Sequence, residues 1–257
     1  MSDQLRLQVR GLTKRFGGLL AVNAVDIDVR DNEIVSIIGP NGSGKTTTFN
    51  LISGAIRPDA GSVRLEGEEL AGLRPDQISR KGIARTFQMP ELFMTLTVLD
   101  HLLIGMQGRM RAGLLASALS LPSTRREERA ARAEAADVLS TFGDRLTADR
   151  MGDLARSLSY ANRRRLEISR ALALRPRLLL LDEPAAGMNP RETQDLMGII
   201  GGLRDGGHTI LLIEHDMGVV LNVSDRVIAL DHGEKIAEGL PREVAAHPRV
   251  VEAYLGG

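Results

Sequence analysis

The sequence predicts an α/β fold with a mostly parallel β-sheet, an N-terminal antiparallel β part and a helical insert. Nearly continuous apolar runs occur at 34–38, 178–181, 210–213 and 227–230. Runs of this kind are typical of parallel strands that are covered by helices on both faces. Helical patterns lie between or beside them, at 45–53, 163–174, 191–203 and 217–223. This alternation predicts a sheet whose parallel strands are joined by right-handed crossovers.

The first thirty residues follow a different pattern. Apolar residues alternate with charged or polar ones along 5–9 and again along 25–29. A period of two indicates strands with one buried and one exposed face. We therefore expect an antiparallel sheet to precede the parallel one.

The segment of about 90–157 interrupts the alternation and contains no convincing strand. Thr124-Arg-Arg-Glu127 resembles a capping box, and an Ala-rich run follows it as far as Leu139. This predicts a mostly helical insert between two strands of the parallel sheet. The expected organisation is a single domain, 1–257, with a core formed by 1–89 and 158–257.

Composition excludes several classes of protein. The 257 residues include 33 basic and 33 acidic side chains, so the net charge is zero, which argues against a general nucleic-acid binder. There is no Cys, which excludes disulfides and thiolate metal sites. The longest uncharged stretch, 112–124, is shorter than the roughly 20 apolar residues of a membrane-spanning helix. With no apolar leader at its N-terminus, the chain is expected in the cytoplasm, with any membrane connection made through a partner.

A phosphate-binding loop is predicted at 39–46, which reads GPNGSGKT. The string fits the pattern of Gly, four residues, Gly, Lys and then Ser or Thr, with an apolar strand before it and a helix after it. Gly42 and Gly44 allow backbone N–H groups to turn inward, Lys45 adds positive charge at the β- and γ-phosphates, and the Thr46 hydroxyl suits magnesium. A Gly-rich turn with an incidental Lys is the alternative, which the flanking strand and helix disfavour. The expected nucleotide ligands are Gly39, Pro40, Asn41, Gly42, Ser43, Gly44, Lys45, Thr46 and Thr47.

Two adjacent carboxylates end the apolar run at 178–181. We expect Asp182 to hold Mg²⁺, usually through water, and Glu183 to polarise the water that attacks the γ-phosphate. Acidic residues often finish strands for structural reasons. The presence of a phosphate-binding loop in the same chain favours the catalytic interpretation.

Together these residues resemble the ATPase subunit of an ABC transporter, a family with a P-loop NTPase core, and the resemblance covers nearly the whole chain. It implies that Gln88, in ARTFQ, reaches the magnesium and the attacking water. It implies that His215, in IEHD, is the switch histidine that contacts the γ-phosphate, and that Phe16, in KRFGG, stacks on adenine. The cofactors implied are ATP and Mg²⁺.

The resemblance also implies a dimer of ATPase subunits, of the same or a homologous chain. Residues 158–172 stand in the place of the ABC signature, in which Ser159 and Ala161 would meet ATP bound by the other subunit, and 185–190 resembles the loop that crosses the dimer interface. The signature departs from Leu-Ser-Gly-Gly-Gln, because it reads Leu-Ser-Tyr-Ala-Asn here. A methyl group at Ala161 and a shorter amide at Asn162 predict slow hydrolysis at the completed site. The alternative is that the local backbone tolerates alanine.

Finer features resemble the subunits that power branched-chain amino acid uptake: the insert at 110–119, the run at 178–193 and the ending at 247–257. The partners implied are transmembrane permease subunits and, indirectly, a periplasmic substrate-binding protein, with the chain at the cytoplasmic face of the inner membrane. Urea, amide or aromatic-acid uptake and lipopolysaccharide export are alternatives inside the family.

Two further alternatives come from other classes. An ABC ATPase of DNA repair or translation tends to carry two ATPase units or a long coiled coil, and this chain has neither. A small-molecule kinase or GTPase is the second, but the Asn-Lys-x-Asp string that binds guanine is absent.

Overall fold

The computed structural model describes residues 4–89, 91–107 and 122–255. Within these residues the strands are β1 (Leu5–Phe16), β2 (Leu19–Arg30), β3 (Ile34–Ile38), β4 (Ala60–Leu65), β5 (Glu68–Glu69), β6 (Ile83–Arg85), β7 (Leu178–Asp182), β8 (Ile210–Ile213), β9 (Arg226–Asp231) and β10 (Glu234–Gly239). The α-helices are α1 (Lys45–Ile52), α2 (Pro75–Arg80), α3 (Val98–Met106), α4 (Pro122–Ser140), α5 (Tyr160–Ala173), α6 (Pro190–Asp205), α7 (Met217–Val223), α8 (Pro241–Ala245) and α9 (Pro248–Leu255).

The N-terminal strands form an antiparallel sheet, as predicted. Its order is β2-β1-β4-β5, and β1 pairs along most of its length with β2. Leu7 and Val9 of β1 and Ile27 and Val29 of β2 are buried, so the predicted alternation marks the inner face. The strands β4 and β5 were not predicted, because β4 alternates over only four residues, 62–65, and β5 has two residues.

The second sheet has six strands in the order β10-β9-β3-β8-β7-β6, and only its edge strand β10 is antiparallel. The four apolar runs are confirmed as β3, β7, β8 and β9. Every residue of β3, β7 and β8 is buried. Because parallel strands end at the same edge of a sheet, the segments that follow β3, β7 and β8 emerge side by side.

The predicted helical patterns appear as α1, α5, α6 and α7, with ends that differ by up to three residues from the predicted bounds. Polar caps explain several of these ends. The Asn189 side chain accepts a hydrogen bond from the N–H of Glu192 at 3.0 Å, and the Glu192 carboxylate accepts one from the N–H of Asn189 at 3.1 Å. This capping box begins α6 at Pro190. Asp216 caps the start of α7 by accepting a hydrogen bond from the N–H of Gly218 at 2.8 Å.

One hydrophobic core cluster contains side chains from both sheets and from α1. Phe49 and Ile52 of α1 are fully buried in one cluster with Leu7 of the antiparallel sheet and Ile37 of the parallel sheet. Because these side chains are closely packed, α1 is held firmly in place. The predicted phosphate-binding loop leads directly into the N-terminus of this helix.

The chain divides into two compact units, one of residues 4–88 and 177–255 and one of Met89–Pro176. In the second unit α3, α4 and α5 pack together. Its described residues contain no strand, only an isolated bridge between Thr97 and Leu154. The unit ends at Pro176 rather than at about 157, because α5 packs against α3.

One helix start was predicted wrongly. The helix α4 begins at Pro122, so Thr124 lies inside it and is not the N-cap. Proline suits the first helical position because its fixed φ matches the helix and its missing N–H is not needed there. The insert pattern at 110–119 lies outside the described residues. No helix in the described part of the chain combines the length and apolar character needed to cross a bilayer.

Candidate active site

The predicted phosphate-binding loop connects β3 to α1. Gly39 and Gly44 have positive φ angles of 149° and 98°. A side chain at Gly39 would overlap the carbonyl oxygen of Leu230, and one at Gly44 would come within 2.5 Å of the carbonyl oxygen of Ala21. Glycine is therefore required at both positions by backbone angle and by space.

The Lys45 side chain folds back beneath this loop. Its Nζ donates hydrogen bonds to the carbonyl oxygens of Gly39 at 2.7 Å and Pro40 at 2.8 Å, and the residue is 7% exposed. Burial lowers the pKa of Lys45, while the negative charges of Glu183 and Asp182 oppose that shift. The loop thus holds a cation close to two carboxylates.

The N-terminus of α1 has no polar side chain to cap it and no acidic residue in its first turn. The Ser43 hydroxyl, directly before Gly44, is buried and has no hydrogen-bond partner among the described residues. Unsatisfied N–H groups, the positive end of the helix dipole and a free hydroxyl favour an anion at this point.

A cavity of about 600 Å³ opens above the loop, a size suited to a small-molecule ligand. Residues 41–47 of the loop and helix line it, with Phe16, Gln88, Glu183 and His232 among the others. Phe16 is 45% exposed, and the Lys14 Nζ lies 5.6 Å from its ring centre. His232, in the turn between β9 and β10, carried no motif and was missed by sequence analysis.

Three predicted catalytic residues lie together after β6, β7 and β8. The Gln88 side-chain amide donates a hydrogen bond to Oε2 of Glu183 at 3.0 Å. His215 Nδ1 lies 3.9 Å from the same oxygen, and its side chain is 61% exposed. His215 does not line the cavity. Glu183 has a φ of 45°, a region that non-glycine residues rarely adopt and that often marks functional sites.

Asp182 has a partner that the sequence did not reveal. Arg85 Nη2 lies 3.0 Å from Oδ2 of Asp182, and both side chains are almost completely buried. The same guanidinium donates to Asn50 Oδ1 at 2.7 Å and to Ser53 Oγ at 2.9 Å. Arg85 therefore links Asp182 to α1. The only sequence signal was its place three residues before Gln88, in a chain whose basic residues are mostly arginine.

Glu214 was also missed. It lies between β8 and His215, is buried, and accepts a hydrogen bond from the N–H of Ala185 at 3.2 Å. Burial raises the pKa of Glu214. Its Oε2 lies 3.9 Å from His215 Nδ1. Glu214 thus holds the start of the segment 185–190 beside His215.

The signature segment belongs to the helical unit. Ser159 caps α5 by accepting a hydrogen bond from the N–H of Asn162 at 3.3 Å. Asn162 Oδ1 accepts one from Arg165 at 2.9 Å. Ala161 is 2% exposed, so its methyl group lies inside the unit.

The family model described as ABC transporter matches residues 22–186. A second model, described as branched-chain amino acid ATP-binding cassette transporter, matches residues 234–257.

Several characterised proteins are similar over their whole length. The high-affinity branched-chain amino acid transport ATP-binding protein BraF of Pseudomonas aeruginosa is 46% identical over 97% of each chain. LivG of Escherichia coli, with the same description, is 45% identical over 100% of this chain and 99% of its own. The lipopolysaccharide export system ATP-binding protein LptB of Escherichia coli is 35% identical over 97% of each chain.

Solved structures show the same fold. The ADP conformation of MJ1267, an ATP-binding cassette of an ABC transporter, is 33% identical with a TM-score of 0.85, covering 98% of this chain and 99% of that one. The cassette MJ0796, in a dimeric post-hydrolysis state with ADP and Pi, is 25% identical with a TM-score of 0.75, covering 92% and 99%.

Proposed function

The chain belongs to the ATP-binding subunits of ABC transporters, and we propose that it powers the import of branched-chain or related amino acids. Whole-length similarity to BraF and LivG carries this proposal. LptB is less similar, at 35% identity, so lipopolysaccharide export is the weaker alternative. The C-terminal match at 234–257 also favours amino-acid import.

We propose that ATP lies in the cavity above the phosphate-binding loop. The uncapped start of α1, the unpartnered Ser43 hydroxyl and the buried Lys45 ammonium suit its phosphates. Gly39, Pro40, Asn41, Gly42 and Gly44 supply the loop that surrounds them, and Thr46 and Thr47 follow at the helix start. Phe16, at the cavity wall, offers an exposed ring on which adenine can stack.

The oxygen groups at this site also suit Mg²⁺, which favours one or two protein ligands together with phosphate oxygens and water. Thr46 would hold it directly, with Asp182 and Gln88 acting directly or through water. Among the described residues, no group of three or more Asp, Glu, His or Cys side chains is arranged so that it could hold a metal ion by itself. When bound, Mg²⁺ neutralises phosphate charge.

Hydrolysis would use Glu183 as the general base. Gln88 donates to the Glu183 carboxylate at 3.0 Å, which fixes its orientation. A carboxylate in this position can accept a proton from the water that attacks the γ-phosphate. Lys45 stabilises the charge that develops on the phosphate oxygens. The exposed His215 imidazole lies beside Glu183 but does not line the cavity, so it would have to turn toward the γ-phosphate to contact it.

Two subunits would enclose two ATP molecules. The dimeric MJ0796 cassette supports this arrangement, because its fold is similar to that of this chain. Ser159 and Ala161 of each subunit would then meet the ATP that the other subunit holds. Residues 185–190, which Glu214 anchors, would lie at the interface. Closure on ATP and reopening after hydrolysis would drive transport.

The proposed partners are transmembrane permease subunits, with a periplasmic binding protein that delivers the cargo. In this arrangement the chain sits at the cytoplasmic face of the inner membrane through those subunits. The similarity to ATP-binding subunits of amino-acid transporters supports the assignment.

The cargo is tested on the intact complex. A tagged chain is purified from its native membrane, and ATP hydrolysis is measured with the periplasmic binding protein and single candidate cargoes. Leucine, isoleucine or valine should stimulate hydrolysis at least about twofold, because loaded binding protein favours the closed dimer. Stimulation by urea or phenylalanine alone would assign a related uptake system, and recovery of lipopolysaccharide-export subunits would refute amino-acid import.

The unusual signature gives a second expected result. Because the Ala161 methyl group is buried, we expect Ala161→Gly to change the ATPase rate of the assembled complex by no more than about twofold. The double change with Asn162→Gln examines the shorter amide as well. A rise of fivefold or more in Ala161→Gly would show instead that the methyl group slows hydrolysis.

A further inference from the structure

The C-terminal helices pack against the sheet at the start of the phosphate-binding loop. Val244 of α8 and Val250 of α9 are buried in one cluster with Ile38 and Ala229. Ile38 is the last residue of β3, and Gly39 follows it. The segment matched by the second family model therefore reaches the loop proposed to bind ATP.

A direct hydrogen bond joins α9 to that loop. The hydroxyl oxygen of Tyr254 accepts a hydrogen bond from the Gly39 N–H at 2.9 Å. A tyrosine phenol, with a usual pKa of about 10, is neutral at physiological pH, and partial burial raises the pKa of Tyr254 further. A neutral phenol keeps a lone pair available to an N–H donor.

Gly39 is thus held on both sides. Its N–H is bound by Tyr254, and its carbonyl oxygen accepts a hydrogen bond from Lys45 Nζ at 2.7 Å. Its φ of 149° is accessible mainly to glycine, whose backbone is otherwise the freest to rotate. Loss of the contact on one side would therefore loosen the peptide group that the Lys45 ammonium contacts.

We propose that Tyr254 is a positioning residue for nucleotide binding and that α9 sets the affinity of the loop for phosphate. The inference rests on the proposed binding of ATP in the cavity above the loop. Tyr254 does not touch the nucleotide in this arrangement. It acts through Gly39 and Lys45, so its removal weakens binding of ATP and ADP alike.

Tyr254→Phe tests this role, because it removes one oxygen atom and keeps the ring. In the full-length chain we expect calorimetry to show dissociation constants for ATP and ADP about three- to tenfold higher than in the wild type. In the ATPase assay KM should rise while kcat stays within about twofold. Val251→Ala, an exposed change on the same helix, is the matched control and should alter neither value.

A second measurement reports on the contact itself. The amide resonance of Gly39 in a ¹⁵N–¹H spectrum should shift in Tyr254→Phe and stay in place in Val251→Ala. A variant with wild-type nucleotide affinity, whatever its melting temperature, would overturn the positioning role. If the wild-type chain itself binds no nucleotide, the proposed ATP site is wrong. That result differs from wild-type nucleotide affinity in Tyr254→Phe, which contradicts only the role of Tyr254.

Discussion

Replacement of Glu183 by Gln is expected to lower ATP hydrolysis by about 10²- to 10⁴-fold while ATP binding is retained. Glutamine has nearly the same size and can keep a hydrogen bond to Gln88, which now lies 3.0 Å from the carboxylate. It cannot take a proton from water at neutral pH. The phosphate-binding loop and Lys45 are unchanged, so nucleotide still binds.

The measurements are phosphate release and equilibrium ATP binding on the same preparation. ATP should also trap the Glu183→Gln chain as a closed dimer, which size-exclusion chromatography detects. Glu252→Gln, an exposed neutralising change on α9, is the control and should leave turnover unaltered. Turnover near the wild-type rate in Glu183→Gln would remove Glu183 from the role of general base.

Lys45→Ala is expected to weaken ATP binding by about 100-fold or more. The buried ammonium interacts with phosphate in a medium of lower dielectric constant than water, where each charge pair is stronger. Alanine also leaves the carbonyl oxygens of Gly39 and Pro40 without the donor they have now. Lys45→Arg is expected to fail as well, because a planar guanidinium does not fit the space of a compact ammonium.

Lys81→Ala is the matched control. Lys81 pairs with Glu68 at 2.7 Å on the surface, away from the cavity lining, and exposed pairs contribute little to stability. Calorimetry with ATP should give the wild-type dissociation constant for Lys81→Ala. Equal affinity in Lys45→Ala would contradict the assignment of the loop at 39–46 as the phosphate site.

Much of the fold was predictable because the information is local. The strands β3, β7, β8 and β9 each contain a nearly continuous apolar run, so they can be predicted without knowledge of their partners. The alternation in β1 and β2 shows that one face of each strand is buried. Short strands such as β5 lack such a pattern, since two residues cannot display a period.

The candidate site was predictable for a related reason. A loop that presents backbone N–H groups to phosphate needs glycine at fixed spacing and a lysine beside it, and these needs appear as one contiguous string at 39–46. Glu183 was assigned from its place at the end of an apolar run in a chain with a phosphate-binding loop, and Gln88 was assigned by resemblance. The structure places them within hydrogen-bond distance of each other, although 95 residues separate them in the chain.

The sequence by itself determined four strands of the six-stranded sheet (β3, β7, β8 and β9), the loop between β3 and α1, and the acidic pair at the end of β7. Only the tertiary structure decided that Arg85 pairs with Asp182, that Glu214 holds Ala185, and that Tyr254 contacts Gly39. Those contacts join residues that are 97, 29 and 215 positions apart. A side chain at such a distance leaves no periodic or spacing signal, because its partner is set by sheet order and helix packing.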